Sequence, residues 1–121
     1  MRLEESAQMY LETIFVLQQK NGYVRSVDVA EHMGYSKPSV SRAVSNLKAG
    51  GFLTMEKNGE LRLTETGIEN AKKIFERHSI ISEFLANLGV DPETAALDAC
   101  KMEHDISDKS FEAIKKFLEK K

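Results

Sequence analysis

Apolar residues recur along this chain in two rhythms, and the change from one to the other organises it. Leu3, Tyr10, Ile14 and Leu17, with Leu11 and Phe15 beside them, follow helical spacing. They predict a first helix over roughly residues 4–20, closed by Asn21-Gly22. SVDVAEHM, residues 26–33, reads as a short second helix with Ser26 as its N-cap and Gly34 as its stop. After Tyr35-Ser36 a third helix begins at Lys37-Pro38, with proline in the first turn that it favours. Val40, Ala43, Val44 and Leu47 give it an apolar stripe, and Gly50-Gly51 end it. The period then shortens. FLTME and ELRLT flank Lys57-Asn58-Gly59, where Asn-Gly is a strong hairpin signal.

Helical spacing returns after Thr64 or Thr66, either of which can cap a long fourth helix. Ile68, Ala71, Phe75, His78, Ile81 and Leu85 lie near one of its faces, and Gly89 closes it. Asp91-Pro92-Glu93 supplies a cap, a proline and an acid for a fifth helix running to about Asp105. Ser107 caps a sixth, whose Phe111, Ile114, Phe117 and Leu118 form an amphipathic face. The expectation is a mainly α chain with a small β-hairpin wing: a winged helix-turn-helix over residues 1–70, then a helical domain over 71–121.

Composition narrows the function. At 121 residues, with 41% hydrophobic and 30% charged residues, the chain is an ordinary globular protein rather than a low-complexity one. The first twenty residues carry charges throughout and lack the apolar stretch of a signal peptide or membrane span, so a cytoplasmic protein with no membrane partner is expected. The single cysteine excludes an internal disulfide. Residues 1–62 hold eight basic against seven acidic side chains, and residues 63–121 nine against twelve. The acidic second half would repel DNA until a cation neutralised part of it.

Residues 26–53, SVDVAEHMGYSKPSVSRAVSNLKAGGFL, followed by a wing, carry the strongest signal. Gly34 allows two helices to cross closely, and the N-terminal end of the second helix is the end that enters a major groove. Ser36, Lys37, Pro38, Ser39, Ser41 and Arg42 stand there. Hydroxyls and a helix N-terminus suit phosphates, and Arg42 suits a guanine edge or a phosphate. Lys57 at the wing tip, with Asn58 and Arg62 nearby, is placed for adjacent backbone. The bland reading makes these residues a helix cap and a solvated face. The expected partner is double-stranded DNA.

A second signal is Cys100, Glu103 and His104, which share one helical face at i, i+3 and i+4. Thiolate, carboxylate and imidazole are all metal ligands. The first helix offers Met9 and Glu12, and the fourth offers His78. Each also has an ordinary explanation: Cys100 and Met9 as core filler, His78 as a hydrogen-bonded histidine, Glu103 and His104 as surface. No phosphate loop, dinucleotide fingerprint or nucleophile elbow is present, so neither an enzyme nor a small-molecule substrate is expected.

QMYLETIFVL, the 26–53 segment, LRLTETG, ERHSIISEFL and ACKMEH together resemble the diphtheria-toxin-repressor family of iron- and manganese-dependent transcriptional repressors, across essentially the whole chain. The resemblance implies that residues 71–121 form an α-helical metal-binding and dimerisation domain, in a homodimer on a two-fold-related operator controlling metal homeostasis genes. For iron-type members it implies a site built from Met9, Cys100, Glu103 and His104. Manganese-type members place aspartate and glutamate where Met9 and Cys100 stand, and their neighbouring metal uses residues matching Glu12 and His78. Three departures follow. Ser82 stands where the iron-type ancillary site has a glutamate, and Glu83 is turned about 100° away. Ala96 replaces a histidine. The chain ends at Lys121, without the SH3-like third domain of longer members. Thioether and thiolate donors favour Fe²⁺, Co²⁺, Ni²⁺ or Zn²⁺ over Mn²⁺. Fe²⁺ is the expected corepressor, with Mn²⁺, Co²⁺, Ni²⁺ and Zn²⁺ as alternatives. The rival reading is a winged-helix regulator answering a small organic ligand or oxidation of Cys100.

Overall fold

The structure, a computed structural model, describes residues 5–120. Leu3, expected on the first helix's apolar face, lies outside them. The elements run α1 (Glu5–Asn21), α2 (Ser26–Met33), α3 (Lys37–Ala49), β1 (Leu53–Met55), β2 (Leu61–Leu63), α4 (Glu65–Asn87), α5 (Pro92–Asp105) and α6 (Asp108–Glu119). This is the mainly helical chain with a hairpin wing that the periodicity predicts. It forms two compact units, one reaching to Lys72 and the other beginning at Lys73. No helix among the described residues is long and apolar enough to cross a membrane.

In the first unit α1 buries Tyr10, Ile14 and Leu17 against Val29 of α2 and Val40, Val44 and Leu47 of α3. Gly34 adopts a φ of +72° while its N–H still reaches Ala30 O at 2.9 Å, a conformation that glycine reaches without strain. The helix-turn-helix corner thereby closes. Ser36 is the N-cap of α3: its Oγ accepts from Ser39 N at 3.3 Å. The start of α2 differs from expectation. Arg25, not Ser26, occupies the N-cap position, and its N–H donates to Asp28 Oδ2 at 2.9 Å. Asp28 stands three residues on, so it can reach back and satisfy the cap amide that a serine cap would leave open.

The wing pairs β1 and β2 antiparallel, with Leu53 opposite Leu63 and Met55 opposite Leu61. Hydrogen bonds from Thr64 N to Phe52 O and from Glu56 N to Glu60 O carry the ladder one pair further at each end. Its base has an attachment that periodicity did not predict. Leu61 N donates to Val24 O at 2.8 Å, and Arg25 bridges to Glu60, so the segment after α1 pins β2.

In the second unit Ile81 of α4, Ala99 of α5 and Phe111 of α6 form a small core. Two positions depart from the expected stripes. On α4, Ile74 is buried and Phe75 is 44% exposed. Ala71, Ile74, His78, Ile81 and Leu85 keep a three-four spacing, which leaves Phe75 on the flank of that face. On α6 only Phe111 is buried; Phe117 is 51% exposed and meets Phe84 edge-on at 5.9 Å.

Candidate functional site

The reader end of α3 is built locally. Ser36, Lys37, Pro38, Ser41 and Arg42 are exposed, and Ser39 is half-buried beneath the Ser36 cap. The two hydroxyls hydrogen-bond each other at 2.9 Å. Val40, Val44 and Leu47 anchor the opposite side of the helix in the core, so the polar side must face outward. Tyr35 leads into the cap and packs on Tyr10 of α1, with ring centroids 5.9 Å apart. Burial pushes the Tyr10 hydroxyl above the usual tyrosine range, Tyr35 adds to the rise and Arg42 opposes it. Lys57 is exposed at the wing tip, where Asn58 Oδ1 accepts from Glu60 N at 3.0 Å. Arg62 is held on the wing's own acids, 3.5 Å from Glu56 and 3.4 Å from Glu60.

The second cluster lies on α5 and α4. Asp91 caps α5, its carboxylate accepting from Thr94 N at 2.9 Å, and that bond holds the carboxyl below its ordinary range. Three turns on, Cys100 Sγ, a Glu103 carboxylate oxygen and a His104 ring nitrogen all lie within 4.8 Å of one another. Atoms bonded to one cation at about 2.0–2.3 Å stand at such separations. The Glu103 side chain is 0% exposed and that of His104 1%. Glu103 Oε2 is 3.0 Å from Nδ1 of His78 on α4. Its Oε1, 3.4 Å from His104 Nε2, is buried without a hydrogen-bond partner among the described residues. A carboxylate oxygen withdrawn from water costs several kcal/mol unless a charge or donor meets it (about 2–7 for a neutral polar group, more for a charged one). A divalent cation is the partner that a thiol, an imidazole and a carboxylate jointly suit, so the donor set fits a transition metal. Met9 and Glu12 are half-buried on α1 in the first unit. Ser82 and Ala96, the two departures from the iron-type ancillary site, are half-buried and offer no imidazole or carboxylate.

Arg77 is a further residue of this corner that the sequence pattern does not mark. It precedes His78 on α4 and binds the backbone carbonyls of Glu103 on α5 and of Ile106, which caps that helix, partners that no local motif announces.

A helix-turn-helix with a wing, in one chain with a half-buried thiol beside a buried carboxylate and imidazole, is an arrangement suited to a metal-responsive DNA-binding regulator. Two family models match it. One, described as the iron dependent repressor N-terminal DNA binding domain, matches residues 2–61. The other, the iron dependent repressor metal binding and dimerisation domain, matches residues 64–121. An uncharacterised HTH-type transcriptional regulator of Methanocaldococcus jannaschii is 35% identical over 98% of this chain and 96% of its own length. The transcriptional regulator MntR of Escherichia coli is 37% identical over 92% of this chain and 72% of its own. Among solved structures, the manganese regulator SloR matches with a TM-score of 0.82 at 29% identity, over 93% of this chain and 53% of its own. A manganese-dependent transcriptional repressor in complex with manganese matches with a TM-score of 0.85, also at 29% identity, over 93% of this chain and 52% of its own. The chain thus spans about half the length of these two solved relatives. It belongs to the iron-dependent repressor family, which includes the diphtheria-toxin-repressor and MntR-type regulators. It is a metal-dependent transcriptional repressor that binds DNA and pairs into homodimers, not an enzyme.

Proposed function

We propose that this repressor senses Fe²⁺ through Cys100, Glu103 and His104, with Met9 completing the set, and represses genes of metal homeostasis in the cytoplasm. The observation that carries this reading is the buried Oε1 of Glu103, which has no hydrogen-bond partner among the described residues and is clustered with a thiol and an imidazole. When bound, the metal supplies positive charge to an acidic half of the chain. The donors themselves set the preference: a thiol and a thioether disfavour Mn²⁺ relative to Fe²⁺, Co²⁺, Ni²⁺ or Zn²⁺. Availability in the cell must then select Fe²⁺ over the tighter-binding Zn²⁺.

A second reading, Mn²⁺ in place of Fe²⁺ or beside it, is favoured by the pairing of His78 with Glu103 at 3.0 Å. Glu12 matches the other residue that manganese-type members use, and two solved relatives are a manganese regulator, SloR, and a manganese-dependent repressor. An organic-ligand or Cys100-oxidation sensor is not favoured by this kinship.

In this reading residues 1–70 read DNA and residues 71–121 hold the metal and pair the subunits. Ser36, Lys37, Pro38, Ser39, Ser41 and Arg42 meet the groove, and Lys57 meets adjacent phosphates. The exposed Leu88, Leu97 and Phe117 give the second unit apolar surface for a partner subunit to cover. The test is anaerobic titration of the DNA-free protein with Fe²⁺ and Mn²⁺, with Cys100→Ala and His104→Ala beside the wild type. Both variants are expected to remain folded dimers and to lose Fe²⁺ binding. Wild-type Fe²⁺ affinity in either one overturns the assigned site.

A further inference from the structure

Arg77 lies on the α4 face that turns toward α5, with its side chain only 17% exposed. Its Nη1 donates to the backbone carbonyl of Glu103 at 3.0 Å and to that of Ile106 at 2.9 Å. Its Nη2 pairs with the carboxylate of Asp108, and its guanidinium carbon stands 5.2 Å from the centre of the Phe111 ring. These partners are the last turn of α5, the residue that ends it and the first turn of α6. The final carbonyls of a helix have no partner within it, so a cation placed there satisfies them and the negative end of the helix dipole together.

One of the carbonyls held belongs to Glu103 itself. The next residue after Arg77 is His78, whose Nδ1 meets the Glu103 carboxylate at 3.0 Å. A single arginine therefore sets where the end of α5 stands relative to α4, next to both side chains of that pair.

We propose that Arg77 is a positioning residue of the metal centre: it clamps the end of α5 so that Glu103 and His104 are presented in register with His78. The proposal rests on the metal-binding reading above. Arginine suits the task because its fixed fork of donors reaches two carbonyls and a carboxylate at once. Lysine, a single flexible ammonium, cannot hold all three in that geometry. Loss of the groups that orient metal ligands typically lowers metal affinity about 10–100-fold.

The experiment is anaerobic Co²⁺ titration of the full chain without DNA, read by the thiolate-to-cobalt and d–d absorption bands, with thermal melts in chelator alongside. Three variants accompany the wild type. R77A and R77K remove the double carbonyl contact, the second keeping the charge. S107A is the comparator, because it deletes the α6 N-cap bond from Ser110 N at 3.1 Å in the same corner and leaves the arginine's acceptors intact. S107A is expected to melt lower yet bind Co²⁺ with wild-type affinity and spectrum. R77A and R77K are expected to bind roughly 10–100-fold more weakly, with altered d–d bands. Wild-type affinity and spectrum in either arginine variant overturn the proposal, as does an equal loss in S107A. Should R77A fail to fold, R77K alone decides. A wild-type protein that takes up no Co²⁺ refutes the metal-binding reading itself, an outcome distinct from an arginine variant that binds normally.

Discussion

His78 on α4 and Glu103 on α5 meet at 3.0 Å through Nδ1 and Oε2, and the Glu103 side chain is withdrawn from water altogether. The imidazole satisfies one carboxylate oxygen. The other, Oε1, is buried with no hydrogen-bond partner among the described residues.

Replacing Glu103 with glutamine keeps the shape and removes the charge. The metal-free variant should be at least as stable as the wild type in urea, because no negative charge is then buried at that position. Its metal affinity should fall by roughly 100-fold or more, beyond the loss typical of a group that merely orients a ligand. A marked loss of metal-free stability would show that Glu103 is structural.

Arg42 is exposed on the reader end of α3 while Val40 and Val44 beside it are buried. Arg42→Ala should weaken operator binding by about 1–3 kcal/mol and leave metal affinity of the DNA-free protein unchanged. A loss uniform across sequences, with the salt dependence reduced by about one, marks a phosphate contact; relaxed preference at one base pair marks a guanine. Fluorescence anisotropy over a salt series reads both. Unchanged operator binding removes Arg42 from the reader.

Gly67 sits in the first turn of α4, where a Cβ would stand on the carbonyl oxygen of Phe52, well inside contact distance. Glycine to alanine inside a helix ordinarily gains about 0.5–1 kcal/mol. Here Gly67→Ala should instead cost about 1–3 kcal/mol, the range for overpacking, seen as a lower urea midpoint. Stabilisation by the alanine would refute the close approach.

Asp91 gives a pH signature. The Thr94 amide holds its carboxyl below the ordinary value, so the folded state binds that proton less tightly than the unfolded chain. The stability it contributes is present above the unfolded pKa and is lost as pH falls through the lower folded value, below about pH 4. Asp91→Asn keeps a cap acceptor but no titrating group. Its melting temperature should fall less steeply than the wild type's across that acidic window. Parallel curves would mean the cap is not titrating.

Local rules made much of this molecule legible. Asn58-Gly59 marked the wing, Lys37-Pro38 the start of the reader helix and Asp91-Pro92 that of α5, because each acts within four residues of itself. Cys100, Glu103 and His104 were legible as one helical face for the same reason. Their burial was not, since it depends on what packs over that face. Arg77 reaches carbonyls 26 and 29 residues away, and the pairing of Leu61 with Val24 spans two helices. Neither leaves a local trace. Ile74 and Phe75 are adjacent apolar residues that fit the α4 stripe almost equally, and only the packed structure chose between them.

The most direct test is binding of the purified protein to duplex DNA from upstream of its own gene and nearby transporter genes, anaerobically, with Fe²⁺, with Mn²⁺ and with chelator. Binding should be tight only with metal, with activation by Fe²⁺ at lower concentration than by Mn²⁺. Activation by Mn²⁺ at the lower concentration would replace the thiol-centred preference with the His78–Glu103 reading. Tight binding in chelator would contradict the metal switch itself.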